Sequence, residues 1–456
     1  MNRYLITTLA EYQTAFWLTV GLQLRSLGES VAFLSFDDRS TEMLKAVGLT
    51  VFSSTGDGGL PADDGALDAV FTRFGIERLN FWMTHERFAF GRTDTAGMRR
   101  KLARSLLAAD KACTEWQPDA KRTVMVQELG GFLSVVGSFF AARHNGIDNW
   151  FIEPSFFRGR MFFLRNSFAA MSIDHADDNP VPPEVTSYLD ETIRQGAIVV
   201  PLKDRHQYTT ARKKIVNWRN ASRLIQKLVD KHVHGKNQEF GHIGHHVRTH
   251  SRMLLNSHRL RNRYTQLERC GRYVYYPLHV PGDMALTLRS PQMLEQFALI
   301  DYLCRCVPAT HKVVIKEHPA MVGAMSAERL IELLDRYDNL VLLPPSTNNY
   351  KVLGGADAVV SVNSKSGAEA GLVGKPVMVL GDAFYRGAPF ATPLDRLQDL
   401  ASRLSQLLSP AHAPIAPATV REYFGSVWRH THPGELYVND PQNVEIFTRS
   451  MIVATT

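Results

Sequence analysis

VVIKEHPAMVG, Val313 to Gly323, is the stretch from which the second half of this 456-residue chain can be read. Val313, Val314 and Ile315 have the β-branched, apolar character of a strand buried on both faces. Lys316, Glu317, His318 and Pro319 then stop that strand at a charged corner. On either side the pattern repeats. The apolar runs RYVYYPLHV, LVLLPP, ADAVVSV and PVMVLG alternate with SPQMLEQFALIDYLCRC, SAERLIELLDRY and KSGAEAGLVG, which carry helical periodicity. Strand and helix alternating at this spacing predict a parallel, doubly wound sheet.

The first half uses the same vocabulary. NRYLITT, the helical YQTAFWLTVGLQLRSLG and SVAFLSFDD form a βαβ unit, GLTVFSS and RTVMVQEL continue it, and the last clear strand is predicted at Trp150 to Glu153. A chain of this length is too long for one core. The expected organisation is an α/β domain over 1–200, a basic helical connector over 201–272, a second α/β domain over 273–410 and a helical tail over 411–456. Ligands of open α/β sheets bind outside the carboxyl ends of the strands, so a cleft between the two domains is where chemistry is expected.

Composition narrows the class. With 45% hydrophobic and 21% charged residues the chain reads as a soluble globular protein, and no uncharged apolar run reaches the roughly 18 residues of a membrane span. The opening MNRYLITTLAEYQ is interrupted by Glu11 and Gln13 and reads as folded sequence, which places the chain in the cytoplasm as an expectation. Four cysteines predict reduced, buried thiols. Charge is concentrated: between Lys203 and Arg272, 17 Lys and Arg face four Asp and Glu, a net +13 in a chain whose total is +7. Such a segment suits an anionic membrane surface, to which the protein would attach peripherally. Its helices contain only Trp218 and Tyr264 as aromatics, too few for the stacking platform of a nucleic-acid binder, so no nucleic acid is expected. The joining HGKNQEFGHIGHH holds paired histidines without Cys or Asp partners and reads as a solvated connector, not a metal site.

Three strand ends carry chemistry. YYPLHVPGD puts Asp283 after a tight Pro281–Gly282 loop. IKEHP supplies Lys316 and His318, with Glu317 on the opposite side of an extended segment and structural in role. SVNSKSGAEAG passes through Ser364, Lys365, Ser366 and Gly367 into a helix expected to start near Gly367, an anion cradle of free N–H groups, hydroxyls and a positive helix end, with Glu369 one turn on to accept bonds from ribose hydroxyls.

IKEHP followed by SVNSKSGAEAGLVGKPVMVLGDAFYRGA resembles the capsule polysaccharide biosynthesis family, which includes bacterial β-Kdo transferases of capsule and O-antigen assembly; YYPLHVPGD and FIEPSFFRGR are similar to further segments of it. The resemblance implies a GT-B-like fold: two Rossmann-like domains facing a cleft, an acceptor-side domain first and a nucleotide-sugar domain second. It implies a retaining transfer of Kdo from CMP-β-Kdo to a glycan or lipid-linked glycan, with CMP-Kdo as donor substrate and no metal required. His318 would contact the donor phosphate and Lys316, Ser364, Lys365, Ser366, Gly367 and Glu369 would hold the nucleotide. Asp283 would act at the anomeric carbon and Glu153 as acid/base. Two other readings compete: a GT-B enzyme using a UDP-sugar, as transferase or 2-epimerase, and a non-catalytic basic scaffold or nucleic-acid-binding protein.

Overall fold

Strands β1 (Arg3–Thr8), β2 (Ser30–Ser35), β3 (Thr50–Ser53), β4 (Thr123–Glu128), β5 (Asp148–Pro154) and β6 (Arg160–Arg165) build the first sheet of the computed structural model. It describes residues 2–54, 60, 61, 63–116, 122–173, 179–196, 202, 226, 228–230 and 233–456. β1 to β5 are parallel; β1, β2 and β4 are almost wholly buried, as apolar runs covered by helices on both faces must be, β5 is buried in part, and the edge strand β3 is not buried. β6 lies antiparallel to β5 and was not anticipated. The aspartate pairs Asp37/Asp38 and Asp63/Asp64 serve helix starts: Asp37 and Asp63 accept from Ser40 and Ala66 N–H groups as N-caps.

The second sheet comprises β7 (Tyr273–Pro277), β8 (Lys312–Lys316), β9 (Leu340–Leu343), β10 (Ala358–Ser361), β11 (Val377–Val379) and β12 (Ala391–Pro393), all parallel. Its order, β12-β11-β10-β7-β8-β9, reverses direction at β7. The chain therefore has the GT-B-like architecture expected of it, two Rossmann-like α/β layers facing a cleft.

Residues 411–456 are not a separate tail. After the Pro417–Arg429 helix, strand β13 (His432–Pro433) joins the edge of β6, extending the first sheet to seven strands. The Pro441–Thr455 helix then packs on the Glu11–Ser26 helix, with Phe447 edge-on to Phe16 and Trp17. Arg160 fastens the crossing, its guanidinium 3.9 Å from the Trp428 ring centroid and bonded to the Thr431 carbonyl.

The connector also differs from expectation. Its first basic helix and Trp218 lie outside the described residues. The HGKNQEFG segment, read as solvated, is docked: Lys236 pairs with Glu42, Phe240 packs on Phe132, and Glu239 is buried beside Lys101. Lys101 Nζ bridges Glu239 (2.7 Å) and Glu86 (2.6 Å), while Glu86 also accepts from Arg92 and the Leu133 N–H. Sequence could not show the docking because the connector's partners, Glu42 and Lys101, lie over 100 residues away from Lys236 and Glu239. The Ile243–Leu260 helix seats Met253 and Leu260 on the second domain, and Asn256 donates to the Gly323 and Met325 carbonyls.

Removing the cation at the centre of this cluster strips the buried Glu239 carboxylate of its ion-pair partner, while Glu86 keeps Arg92. Lys101→Met is expected to lower the unfolding free energy by about 3–5 kcal/mol, read as a drop in the urea midpoint at unchanged slope.

Candidate active site

The carboxyl ends of β7, β8 and β10 meet at the reversal point of the second sheet, where helices leave in opposite directions and a crevice opens. Opposite stands the end of β5. Between them lies a cleft of about 660 Å³ lined from both domains, by Glu153 and Ser155 on one side and by His279, Asp283, Arg289, Lys316, His318 and the Ser364–Ser366 turn on the other. Every site residue inferred from sequence lines it except Gly367, which stands directly behind the turn. The order of the strands explains this: β8 and β10 flank β7, so motifs some forty-five residues apart become neighbours.

Ser364 caps a helix that starts at Lys365, two residues earlier than expected. Its hydroxyl accepts from the Ser366 N–H, and Tyr385 donates to its carbonyl. Gly367 is required by that tyrosine, because a Cβ there would stand 2.3 Å from the Tyr385 hydroxyl oxygen. Lys365 reaches across the cleft and donates to the Ser155 carbonyl at 2.7 Å.

The floor is a buried charge pair. Lys316, 4% exposed, donates to the Thr347 carbonyl, and burial draws its ammonium down to about 8 while Glu369 acts in the opposite sense. Glu369 is 1% exposed and so sits beneath the cleft and not at an open face for ribose hydroxyls. Burial pushes its carboxyl up to about 7 against the opposing pull of the Asn349 amide, which donates at 2.7 Å, and of Lys365 and Lys316. Glu317 is structural, as its position implied: it is buried and accepts from the Gly323 N–H, and burial lifts it to about 7.

His318 is half-buried. Its Nδ1 accepts from the Ala320 N–H, so the neutral ring carries its proton on Nε2. Beside it is a residue the sequence reading quoted but did not select, His279. Gln296 clamps its backbone from both sides, and burial together with His318 lowers its ring to about 4, leaving it neutral. Its Nε2 is buried without a hydrogen-bond partner at the cleft wall. The signal was present in LHVPGD, but a lone histidine near a strand end does not reveal that its ring turns towards another.

Asp283 is exposed at the cleft rim, and its Oδ1 accepts from the Ala285 N–H as cap of the Met284–Thr287 helix. Gly282 before it has φ +82° and presses on the backbone of Phe88 and Ala89 in the first domain, a conformation and a proximity that both favour glycine. Glu153 was inferred as acid/base; here both its oxygens accept from Arg289, at 2.8 and 3.0 Å. Arg289 was missed, because nothing in its own neighbourhood reveals a partner 136 residues away.

Residues 137–395, more than half of the chain, match the profile of the family described as capsule polysaccharide biosynthesis protein. The chain belongs to that family. The matched span runs from the helix before β5 to the end of β12 and so contains both walls of the cleft. The chain is also similar to Protein FixF of Sinorhizobium fredii, 28% identical over 127 residues that make up 27% of this chain, and it spans 30% of the length of that curated relative. Among solved structures it is similar to the Thermosulfurimonas dismutans KpsC beta Kdo 2,7 transferase, with 13% identity, a TM-score of 0.37, and coverage of 77% of this chain and 90% of that one. Similarity extends to a UDP-GlcNAc 2-epimerase from Methanocaldococcus jannaschii in complex with UDP-GlcNAc and UDP, with 10% identity, a TM-score of 0.32, and coverage of 94% and 100%. Likenesses so loose do not rank one donor above another.

Glu369 makes the site pH-sensitive. A carboxyl held near 7 in the fold and near an ordinary value when unfolded stabilises the fold below the ordinary value, and this contribution is lost as pH rises through 7. Glu369→Gln removes the effect, so the variant should gain on wild type by about 2–3 kcal/mol between pH 5 and pH 8, measured by urea denaturation at both values.

Proposed function

We propose that the protein is a retaining glycosyltransferase that moves Kdo from CMP-β-Kdo to a glycan or lipid-linked glycan during synthesis of a bacterial surface polysaccharide. The observation that carries this reading is the grouping, at one strand reversal, of Lys316, His318 and the start of the Lys365–Leu372 helix, with Asp283 beside them and Glu153 opposite. The choice of donor is supported by the resemblance of the IKEHP and SKSGAE segments to the β-Kdo transferases and is compatible with membership of the capsule polysaccharide biosynthesis family.

Lys316, Lys365 and the positive end of that helix stabilise the charge that grows on the phosphate oxygen as CMP leaves, whereas the Ser366 and Gly367 N–H groups, expected to be free, already donate to Ser364. His318 Nε2–H adds a directional donor to that set, and His279 lies close enough to feel its charge. A β-linked donor giving a β-linked product needs either two inversions or a same-face departure, and a carboxylate at Asp283 favours two inversions. An oxygen of Asp283 bonds to the anomeric carbon as the bond to the CMP phosphate breaks. The acceptor hydroxyl then attacks the same carbon, Glu153 takes its proton, and the Asp283 carboxylate departs. Neither step, as written, routes charge through a metal.

Lipid-linked acceptors reside at membranes, and the Ile243–Leu260 helix offers a surface for one. Away from its seated face it exposes Val247, Leu254 (41%) and Leu255 (61%) among Arg248, Arg252 and Arg259. Apolar side chains set among cations suit the cytoplasmic face of an anionic inner membrane, each nearby cation contributing about 1 kcal/mol. No described helix is long and apolar enough to cross the bilayer.

Intact-mass spectrometry after brief mixing with CMP-Kdo tests the reaction. A Kdo adduct is expected on Asp283 and absent from Asp283→Asn; an adduct elsewhere removes Asp283 from the role, and turnover with a UDP-sugar but not with CMP-Kdo overturns the donor. Flotation tests the surface: the protein should rise with vesicles containing anionic lipid and not with neutral ones, and the Leu254→Ser/Leu255→Ser double variant should lose most of this binding.

A further inference from the structure

Arg289 occupies an unusual position for an interdomain ion pair. It belongs to the second domain, six residues after Asp283, yet every hydrogen bond its side chain makes in the described structure goes to the first. Nε donates to the Phe168 carbonyl at 2.8 Å and Nη2 to the Ala169 carbonyl at 3.1 Å, which fixes the plane of the guanidinium. The remaining fork, Nη1 and Nη2, faces the Glu153 carboxylate inside the cleft. The side chain is 9% exposed, against 20% for Glu153. If Glu153 swung away, the two carbonyls would still hold the fork aimed into the cleft, a socket shaped for a planar, bidentate anion.

We infer that Arg289 is the receptor for the carboxylate of a sugar-acid donor, and that Glu153 is its intramolecular placeholder until the donor displaces it. The inference rests on the CMP-Kdo reading. In a 2-ulosonic acid the carboxylate is bonded directly to the anomeric carbon, so its receptor must stand within a few ångströms of the nucleophile. Asp283 lies at the other end of the same short helical segment, and its charge is felt at the Arg289 guanidinium. Without a cation there, the donor carboxylate and Asp283 would repel each other at the point where they must approach. The exchange also has a consequence for timing: Glu153 is released to accept a proton only when a donor has taken its place, which discourages activation of water in the empty cleft.

A latch that merely held the domains together would respond in the same direction to loss of either partner, whereas a receptor with a competitor responds in opposite directions. The test measures binding of the 3-fluoro analogue of CMP-Kdo, whose fluorine slows loss of CMP, beside its methyl ester and CMP itself, by calorimetry on the whole chain. For wild type the acid should bind about tenfold tighter than the ester. In Arg289→Met that difference should vanish while CMP affinity persists, and in Glu153→Gln the acid should bind more tightly than in wild type. Equal binding of acid and ester to wild type, an acid preference retained in Arg289→Met, or weakened acid binding in Glu153→Gln would each overturn the inference with the donor assignment intact. If neither analogue binds wild type better than CMP, the donor assignment falls and this inference with it.

Discussion

Two sheets whose parallel strands point their carboxyl ends at one another constrain the rest of this molecule. A parallel sheet is wound by right-handed crossovers, and where the winding reverses the helices diverge and leave backbone donors uncovered. In the second sheet the reversal falls at β7, so the ends of β8 and β10 lie on either side of it. The position of the first domain then decides what faces them. Contacts at the rim set that position: Arg289 with Glu153, Lys365 with the Ser155 carbonyl, Asp382 with the Ala170 N–H, and His85 with Thr287. Each joins a residue near the chemistry to the opposite domain, so closing the cleft and assembling the site are one event.

Charge in the cleft is layered by burial. At the bottom Lys316 and Glu369 lie nearly dry, each drawn towards neutrality by its burial and back towards charge by the other. Above them His318 and Lys365 are only half-buried. The upper layer thus offers the Lys365 ammonium and the His318 ring to the open cleft, and the lower pair supplies a fixed field that needs no rearrangement when charge moves, which is the condition under which such groups lower a barrier most.

Much of this was legible in the sequence because it is local. Strand, corner and helix start follow one another within ten residues at SVNSKSGAEAG, strand and corner do so at IKEHP, and β-branched runs, prolines and capping serines mark them directly. The architecture was legible through the alternation of those units. What could not be read depends on distant partners. His279 and Arg289 acquire meaning only beside His318 and Glu153, and the carboxylate of Glu369 sits on the inner side of its helix only because Asn349 and Lys316 wait there. The connector failed for the same reason: its count of positive charge was right, but Glu239 shows that one acid among many bases can be the residue that anchors the segment.

The return of the Pro441–Thr455 helix to the Glu11–Ser26 helix has a bearing on how the molecule comes into being. Residues 273–410 are contiguous, so the second sheet can complete its pairing soon after it leaves the ribosome. The first sheet cannot: its earliest strand and helix wait for a segment made more than 400 residues later, with Tyr4 meeting Thr455 and Phe16 meeting Phe447. Until then the apolar side of the first helix has no cover, and a nascent chain in that state is exposed to wrong association. The second domain is thus positioned to form first and to bring the distant segment back, making the half that carries Lys316 and His318 also the half that organises the folding of its neighbour.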